Sequence, residues 1–383
     1  MQHFRSERVA AVLLAVAAIA GLVIANSPLG AAAIAVRDAH PDTGFAVLDL
    51  SLGHWITDGL LAIFFLVAAI ELRHELTHGE LDTPRKALAP AVAATGGVVV
   101  PALVYLLIVR DPVEANGWPI PTATDIAFAL GVLALLGRGL PRRVRAFLLA
   151  LAVLDDLIAI AIIAVFFTRG LEPVPLLLAV PLIAVFGWLS ARRSLPAGLR
   201  VVLLLVIGVA VWALILSSGV HATVAGVALG LVFAPGPAGR TRHAVEPWVN
   251  GIVLPLFAFS ASMVVIPAIG GDGLSAVFWG VLIALPVGKL IGITGGALIA
   301  RALVPAPERA AALRIPEVLV VATLGGIGFT ISLLMAELAF RSDRDLVAAA
   351  TLAVLAGSLI AIVIGGATTA VVARRARLSS SAR

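Results

Sequence analysis

The chain has 383 residues, of which 61% are hydrophobic and only 13% are charged. Its mean hydropathy is +1.10, and because soluble domains carry about 25% charged residues, this composition excludes a soluble globular protein and predicts a polytopic membrane protein. It contains no cysteine, which excludes disulfide frameworks and thiolate metal sites, and its formal net charge is +5.

Apolar runs of about 20 residues, bounded by Arg, Pro and Gly, predict an all-α protein with twelve membrane helices. The first run, from Val9 to Ala25, follows Arg5 and Arg8 and therefore resembles a signal peptide. The length of this run and the many runs after it nevertheless predict a helix that is retained. The twelve helices are predicted near residues 8–25, 55–77, 87–109, 117–137, 142–168, 173–191, 200–217, 220–234, 247–267, 277–301, 316–340 and 346–373.

The basic residues are distributed unevenly between the two sides of the predicted bundle. Most of the 27 Lys and Arg fall on the side of the N-terminus. The positive-inside rule therefore predicts cytoplasmic N- and C-termini and explains the basic charge without a nucleic-acid partner. No interhelical stretch is long enough to fold alone, so residues 1–383 are predicted to form one membrane domain, with residues 374–383 as a disordered cytoplasmic tail.

Four ionisable residues lie deep in the predicted helices: Asp125, Asp155, Asp156 and Lys289. Each costs roughly 2.5 to 3.5 kcal/mol at a helix centre, which favours a functional reason for its presence. Asp155 and Asp156 point about 100° apart on a helix and can line one cavity. Repulsion between them favours protonation of one, so the pair can exchange a proton for another cation. Pairing of Lys289 with one carboxylate would leave the other free, whereas a purely structural ion pair leaves two carboxylates unexplained.

Asp125 lies in the run IPTATDIAFALGVLALLG, where Pro121 and the threonines around it predict an interrupted helix. Its carboxylate either caps the half-helix that follows or helps to bind a cation. A second interruption is predicted at ATLGGIGFTIS, residues 322–332, where glycines precede Thr330. Two interrupted spans in corresponding positions of two halves indicate a transporter binding site near the membrane midplane.

These motifs resemble the NhaA-type sodium/proton antiporter family over nearly the whole chain. The most specific are TATDIAFALGVLALLG and LALAVLDDLIAIAIIAVFFT, supported by WITDGLLAIFFLVAAIELRHEL, SGVHATVAGV, EPWV, LPLFAF, GKLIGI and GGIGFTIS. The resemblance implies the NhaA fold of twelve helices. In that fold the third to fifth helices are inverted relative to the tenth to twelfth, and the fourth and eleventh are broken and cross each other.

The resemblance also implies roles for individual residues. Asp155 is associated with Lys289, and Asp156 is the central carrier of Na⁺ and protons. Na⁺ is bound by Asp156 and Asp155, with Thr124 as a further candidate ligand. The residues expected at the helix breaks and supporting the ion site are Thr124, Asp125, Gly325, Gly326, Gly328 and Thr330.

The pH response of the family is attributed to charges at the cytoplasmic mouth. The corresponding candidates in this chain are Glu71, His74, Glu75, His243 and Glu246. This sequence departs from the family pattern at three of these mouth positions: His74 replaces an arginine, Arg242 replaces a glutamate and Glu246 replaces a histidine.

The sequence therefore predicts a multi-pass antiporter of the bacterial inner membrane rather than an enzyme. It is expected to export Na⁺, and Li⁺ as well, in electrogenic exchange for protons in pH and sodium homeostasis, without a cofactor. A homodimer is left open, with residues 25–52 as a candidate contact. The alternatives are a sodium-coupled symporter of an organic anion and an intramembrane aspartyl protease, although the protease's Gly-x-Gly-Asp motif does not occur. Asp58 is predicted to be a rim charge, and His54 and His221 to be hydrogen-bonded interfacial groups.

Overall fold

The computed structural model describes residues 7–41, 44, 49–79, 81–168, 170–192, 194–266, 274–303 and 313–381. Within these ranges every regular element is helical, which confirms the predicted all-α fold. In chain order the helices are α1 (Glu7–Ala25), α2 (Gly30–Arg37), α3 (Leu52–His78), α4 (Pro84–Ile108), α5 (Ile126–Leu136), α6 (Arg142–Phe166), α7 (Pro173–Ala191), α8 (Ala197–Ser217), α9 (Thr223–Val232), α10 (Pro235–Ala261), α11 (Ala276–Leu303), α12 (Ile315–Leu324), α13 (Phe329–Ala339) and α14 (Arg344–Ser381).

The lengths of these helices are those of a multi-pass membrane protein. In the described ranges, nine helical segments are long and apolar enough to cross a bilayer, or up to eleven if each of two bent pairs is one span. The bent pairs are α1 with α2 and α12 with α13, and α9 is a shorter apolar helix. The number of twelve spans therefore stays a prediction.

Three helix boundaries differ from the sequence prediction. Helix α2 lies in the segment of residues 26–54, which was predicted to contain no helix. Helix α10 begins at Pro235 rather than near residue 247. Proline is favoured in the first turn of a helix, and the polar residues that follow can form helical turns exposed to solvent. Helix α14 continues to Ser381 and includes most of the segment of residues 374–383 that was predicted to be disordered.

Helices α4 and α11 cross at unusually short range. A Cβ atom at Gly96 would meet the backbone of Gly292, and one at Gly296 would meet Val92 and Ala93. The absence of side chains at these positions lets the two backbones approach, as is typical of helix pairs in membranes. Helix α11 is π-helical from Ala284 to Gly288, directly before Lys289. This crossing holds Lys289 in the interior of the bundle.

The largest buried cluster surrounds α13, almost all of whose residues are inaccessible. A second buried cluster joins α7, α8 and α9 around Phe186, Trp212 and Phe233. The outer faces of α7 and α8 expose apolar side chains, which suits contact with lipid. Residues one helical turn from the predicted site, namely Ala129, Leu151 and Ile293, belong to the first cluster, which lies away from the lipid-facing edge.

Candidate functional site

The chain leaves helical geometry directly before α5. A short 3₁₀ turn at Ile120–Thr122 is followed by extended backbone at Ala123 and Asp125. The Asp125 carboxylate accepts a hydrogen bond from the backbone N–H of Phe128 through Oδ1, at 3.0 Å. Of the two roles left open for Asp125, helix capping is therefore observed.

A second departure from helical geometry, at residues 325–328, separates α12 from α13, and the two helices are bent by 48°. Glycine at two of these positions allows close packing, because an added side chain would require its neighbours to shift. A Cβ atom at Gly325 would lie 2.5 Å from Ile293 Cδ1, and one at Gly328 would lie 2.7 Å from Leu285 Cδ1. The segment therefore packs tightly against the side chains of α11 that flank Lys289.

The two non-helical segments are hydrogen-bonded to each other. The hydroxyl of Thr124 donates to the Gly325 carbonyl at 2.8 Å, and the N–H of Asp125 donates to the Ile327 carbonyl at 2.6 Å. Thr330 donates to Asp125 Oδ2 through its hydroxyl at 2.6 Å and through its N–H at 3.2 Å. One carboxylate thus accepts N–H groups from the first turns of both α5 and α13. Because helix N-termini carry partial positive charge, this carboxylate is well placed to accept hydrogen bonds from both helix ends.

Asp155 and Lys289 form a fully buried ion pair. Lys289 Nζ lies 2.7 Å from Asp155 Oδ2, and the two residues are 0% and 2% exposed, respectively. Asp155 Oδ1 is also buried and has no hydrogen-bond partner among the described residues, although Thr124 is its neighbour. The short distance between two buried opposite charges stabilises the pair, whereas either charge left alone in the interior would strongly destabilise the fold. The association predicted for Asp155 and Lys289 is therefore observed.

Asp156 faces a cavity of about 160 Å³ in the protein interior. Thr124, Asp125 and Thr330 line the same cavity. In the described part of the chain, Asp156 makes no hydrogen bond and has no cationic side chain within 4.0 Å of its carboxylate. The adjacent aspartates thus have different environments, because one is paired with Lys289 and the other faces a largely apolar cavity that also contains the oxygens of Thr124, Asp125 and Thr330. Carboxylate and hydroxyl oxygens are the ligands preferred by hard cations.

The same cavity continues past Asp156 to Glu71, Glu246 and Asn250. Asn250 lies in the π-helical part of α10, Val249–Val253, and was not singled out from the sequence. π-Helical turns inside α-helices are frequent at functional sites, but they leave no clear signal in a single sequence. Glu71 also approaches Arg242, whose Nη1 lies 3.6 Å from Glu71 Oε1.

The other three candidates for pH sensing do not line this cavity. His74 and His243 are exposed at a separate cavity of about 140 Å³, together with Arg242. Glu75 is buried and lines a third cavity, beside Arg142. The structure therefore brings Glu71 and Glu246 to the ion cavity and places His74, Glu75 and His243 elsewhere at the same end of the bundle.

The prediction that Asp58 is a rim charge is wrong. Asp58 is 4% exposed, and its Oδ1 lies 2.9 Å from His221 Nε2. His221 also contacts the Thr223 hydroxyl through Nδ1 at 2.7 Å, and the Trp212 indole N–H donates to the Asp58 carbonyl at 2.8 Å. The predicted helix began at residue 55, which placed Asp58 in its first turn, near the membrane surface. The helix begins earlier, at Leu52, so Asp58 lies deeper along it.

The comparisons with known proteins agree with these motifs. The model of the family described as "Na+/H+ antiporter 1" matches residues 1–368. The chain is 54% identical over 382 residues to the Na⁺/H⁺ antiporter NhaA 2 of Clavibacter michiganensis, covering 99% of this chain and 93% of that protein. It is 43% identical over 391 residues to the Na⁺/H⁺ antiporter NhaA of Thermobifida fusca, covering 97% and 93%, respectively. These relatives are named as antiporters, which are transporters rather than enzymes.

Proposed function

This chain belongs to the Na⁺/H⁺ antiporter 1 family, and from that premise we propose that it exports Na⁺ in exchange for protons. The observation that carries this proposal is the Asp156 carboxylate, which faces a cavity shared with the oxygen-bearing side chains of Thr124 and Asp125 and has no cationic partner among the described residues. Such a group binds either a proton or a hard monovalent cation. The two ligands therefore compete for one position.

The proposed mechanism is this competition combined with alternating access. Na⁺ binds at Asp156, with Asp155 and Thr124 as further ligands, and protonation of the carboxylate releases it. Each form then moves to the opposite side of the membrane in turn, so Na⁺ and the proton do not travel together. The hydrogen-bonded contact between Asp125 and Thr330 supports the proposal, because it gives the two non-helical segments a common fixed point beside the cavity.

We propose that more than one proton is exchanged for each Na⁺, which makes the cycle electrogenic. The ion pair of Asp155 and Lys289 supports a second titratable unit next to Asp156. Either partner is a candidate for the additional proton, since the two share one buried contact. Loss of that contact when Na⁺ reaches Asp155 would free Lys289 to release its proton.

The proposed regulation by pH involves the acidic and histidine side chains at the mouth of the ion cavity. Glu71 and Glu246 lie on the path to Asp156, so their charge acts directly on an arriving cation. His74, Glu75 and His243 are more distant and would act through the helices that bear them. In this proposal Glu71, His74, Glu75, His243 and Glu246 together set the pH range of activity.

Further elements of the proposal concern the setting of the protein. We propose one membrane domain in the bacterial inner membrane, with both termini in the cytoplasm, as the distribution of Lys and Arg favours. Transport of Li⁺ alongside Na⁺ would follow from a site built of oxygen ligands. The physiological role would be pH and sodium homeostasis, and the oligomer a homodimer.

The test is dequenching of a pH-sensitive dye in everted vesicles on addition of Na⁺, Li⁺ or K⁺, scanned over pH. Wild-type protein should dequench the dye with Na⁺ and Li⁺, and Asp156→Asn should abolish the signal. Asp345→Asn is the matched control, because Asp345 is an exposed carboxylate outside the ion cavity. Wild-type exchange by Asp156→Asn would refute the role given to Asp156, and uptake of an organic anion with Na⁺ would refute antiport.

A further inference from the structure

Glu337, near the end of α13, is a membrane-embedded carboxylate that the proposed mechanism does not use. Its Oε2 accepts a hydrogen bond from the Thr57 hydroxyl at 3.2 Å. Among the described residues it has no cationic side chain within 4.0 Å. A carboxylate inside a membrane protein with a single neutral hydrogen-bond partner is costly, which favours a functional reason for its presence.

Glu337 lies at a cavity of about 400 Å³ that is distinct from the ion cavity. Three helices, α3, α10 and α13, contribute residues to both cavities. The positions of these residues along each helix place the two cavities toward opposite ends of the bundle. Helix α13 contributes Thr330 to the ion cavity and Glu337 to the second one. Helices α3 and α10 likewise contribute to both, through residues at opposite ends of each helix. We call the second cavity the distal cavity.

Glu337 and Thr330 lie on the same face of α13, because seven residues make almost two complete turns. At 1.5 Å per residue they are separated by roughly 10 Å along the helix axis. Along each of these three helices, buried apolar side chains lie between the residues that line the two cavities, among them Leu61 on α3, Phe257 on α10 and Leu334 on α13. These three side chains belong to one packed cluster. Packed apolar side chains therefore separate the distal cavity from the ion cavity along these helices.

The other charges of the distal cavity are largely balanced without Glu337. Asp38 is paired with Arg37 at 3.0 Å and with Arg344 at 2.8 Å. Partial burial raises the pKa of Asp38, but the hydrogen bond and the attraction from Arg37, together with Arg344, outweigh it and hold that pKa below its ordinary value. Arg341 lies 3.9 Å from Asp58 Oδ1.

Two further ionisable groups line the distal cavity. His54 contacts the Ser51 hydroxyl through Nδ1 at 2.8 Å, and Asp345 is exposed at the cavity rim. Arg37 and Arg341 attract the Glu337 carboxyl group from a distance, but the close ion pairs of Arg37, Arg341 and Arg344 are with Asp38 and Asp58. Among the described residues the Glu337 oxygens therefore remain accessible to a mobile cation.

We infer that Glu337 is a staging site for monovalent cations at the distal mouth, where Na⁺ or a proton pauses on its way between the distal cavity and Asp156. The carboxylate faces the cavity on one side, and its helix face leads to Thr330 and Asp125 on the other. Separation of the buried apolar side chains between the cavities, among them Leu61, Phe257 and Leu334, would connect the two carboxylates. This inference rests on the proposed antiport function and adds a cation-binding residue on the second side of the membrane.

The test measures exchange with Na⁺ supplied to one face at a time, in everted and in right-side-out vesicles. Glu337→Gln should raise the apparent KM for Na⁺ roughly tenfold when Na⁺ is supplied to the distal face, and leave the KM at the other face unchanged. Glu337→Asp should retain a KM close to that of the wild type. Glu172→Gln, which removes an exposed carboxylate that lines neither cavity, is the matched control and should leave both KM values unchanged.

A side-specific change distinguishes a staging site from a purely structural role, because misfolding would lower activity from both faces. An unchanged KM at the distal face, or an equal rise at both faces, would overturn the inference. If Asp156→Asn abolishes exchange while Glu337→Gln behaves as wild type, only this inference fails. If the wild-type protein itself shows no Na⁺-dependent proton flux, the proposed function fails.

A second variant keeps the inference testable if Glu337→Gln is inactive. The chain contains no cysteine, so Glu337→Cys would carry the only thiol of the protein. A sulfonate-bearing thiosulfonate reagent, which restores a negative charge, should lower the KM at the distal face toward the wild-type value. A trimethylammonium-bearing reagent of similar size should not. Equal effects of the two reagents would overturn the inference.

Discussion

Lys289 Nζ lies 2.7 Å from Asp155 Oδ2, and neither side chain has significant access to solvent. Removal of either partner leaves the other charge buried without compensation, which costs about 3–5 kcal/mol in comparable ion pairs. We therefore expect Lys289→Gln and Asp155→Asn each to lower the thermal unfolding midpoint in detergent. The double variant should be more stable than the sum of the single effects predicts, because it leaves no unpaired charge. Strict additivity would mean that the pair contributes no coupling to the fold.

Asp125 offers a second prediction, because its two oxygens accept N–H groups at the starts of two helices. Loss of a helix cap costs about 0.5–2 kcal/mol. Asp125→Ala removes both caps and should be the less stable variant, while Asp125→Asn retains one acceptor oxygen and should be intermediate. Thermal unfolding of the two variants in the same detergent measures the difference. Equal stability of Ala and Asn at this position would show that the capping bonds contribute little.

The crossing of α4 and α11 predicts opposite results for two neighbouring glycines. Gly292→Ala places a methyl group against the Gly96 carbonyl, so the helices must separate and the position of Lys289 must shift. Gly295→Ala meets no atom within 4 Å, and alanine is favoured over glycine inside a helix by about 1 kcal/mol. We expect Gly292→Ala to lose both stability and exchange, and Gly295→Ala to be at least as stable as the wild type. A tolerated Gly292→Ala would contradict the close approach.

The sequence was sufficient to predict the helical class and the positions of Asp155, Asp156 and Lys289 inside helices, since charges inside apolar runs are conspicuous. The contact between Asp125 and Thr330 was not predictable from periodicity, because it joins residues far apart in the chain. Glu337 was overlooked for a different reason. It lies three residues before the predicted end of its helix, where a charge ordinarily reaches the membrane surface, and only the packing of the surrounding helices shows that it lines a cavity between them.

The positions of the pH-sensing candidates also depended on tertiary structure. Glu71, His74 and Glu75 are spaced to share one face of α3, and the family resemblance implied that they lie together at the cytoplasmic mouth. In the structure, the helices packed against α3 divide this face among three cavities, and only Glu71 lies at the ion cavity. Local spacing predicts which side chains share a face of a helix. It does not predict how the helices packed against that face divide those side chains among different cavities.

Arg242 leads to a prediction about the mouth of the ion cavity. Its guanidinium lies 3.6 Å from the Glu71 carboxylate, and both side chains are partly exposed, so the pair contributes little to stability. Its positive charge nevertheless lowers the local concentration of cations near Glu71. Arg242→Gln should therefore lower the apparent KM for Na⁺ at this face by a few-fold at low ionic strength.

The salt dependence of that effect separates electrostatics from a change of shape. The Debye length falls from about 10 Å at 0.1 M to about 3 Å at 1 M, so an effect of charge should shrink as an impermeant salt is added. Arg240→Gln is the matched control, because Arg240 lies on the same helix, is exposed and does not line the ion cavity. A KM change in Arg242→Gln that persists at high ionic strength would indicate that Arg242 acts by packing. A rise in KM would show that it aids cation binding, contrary to the argument from its charge.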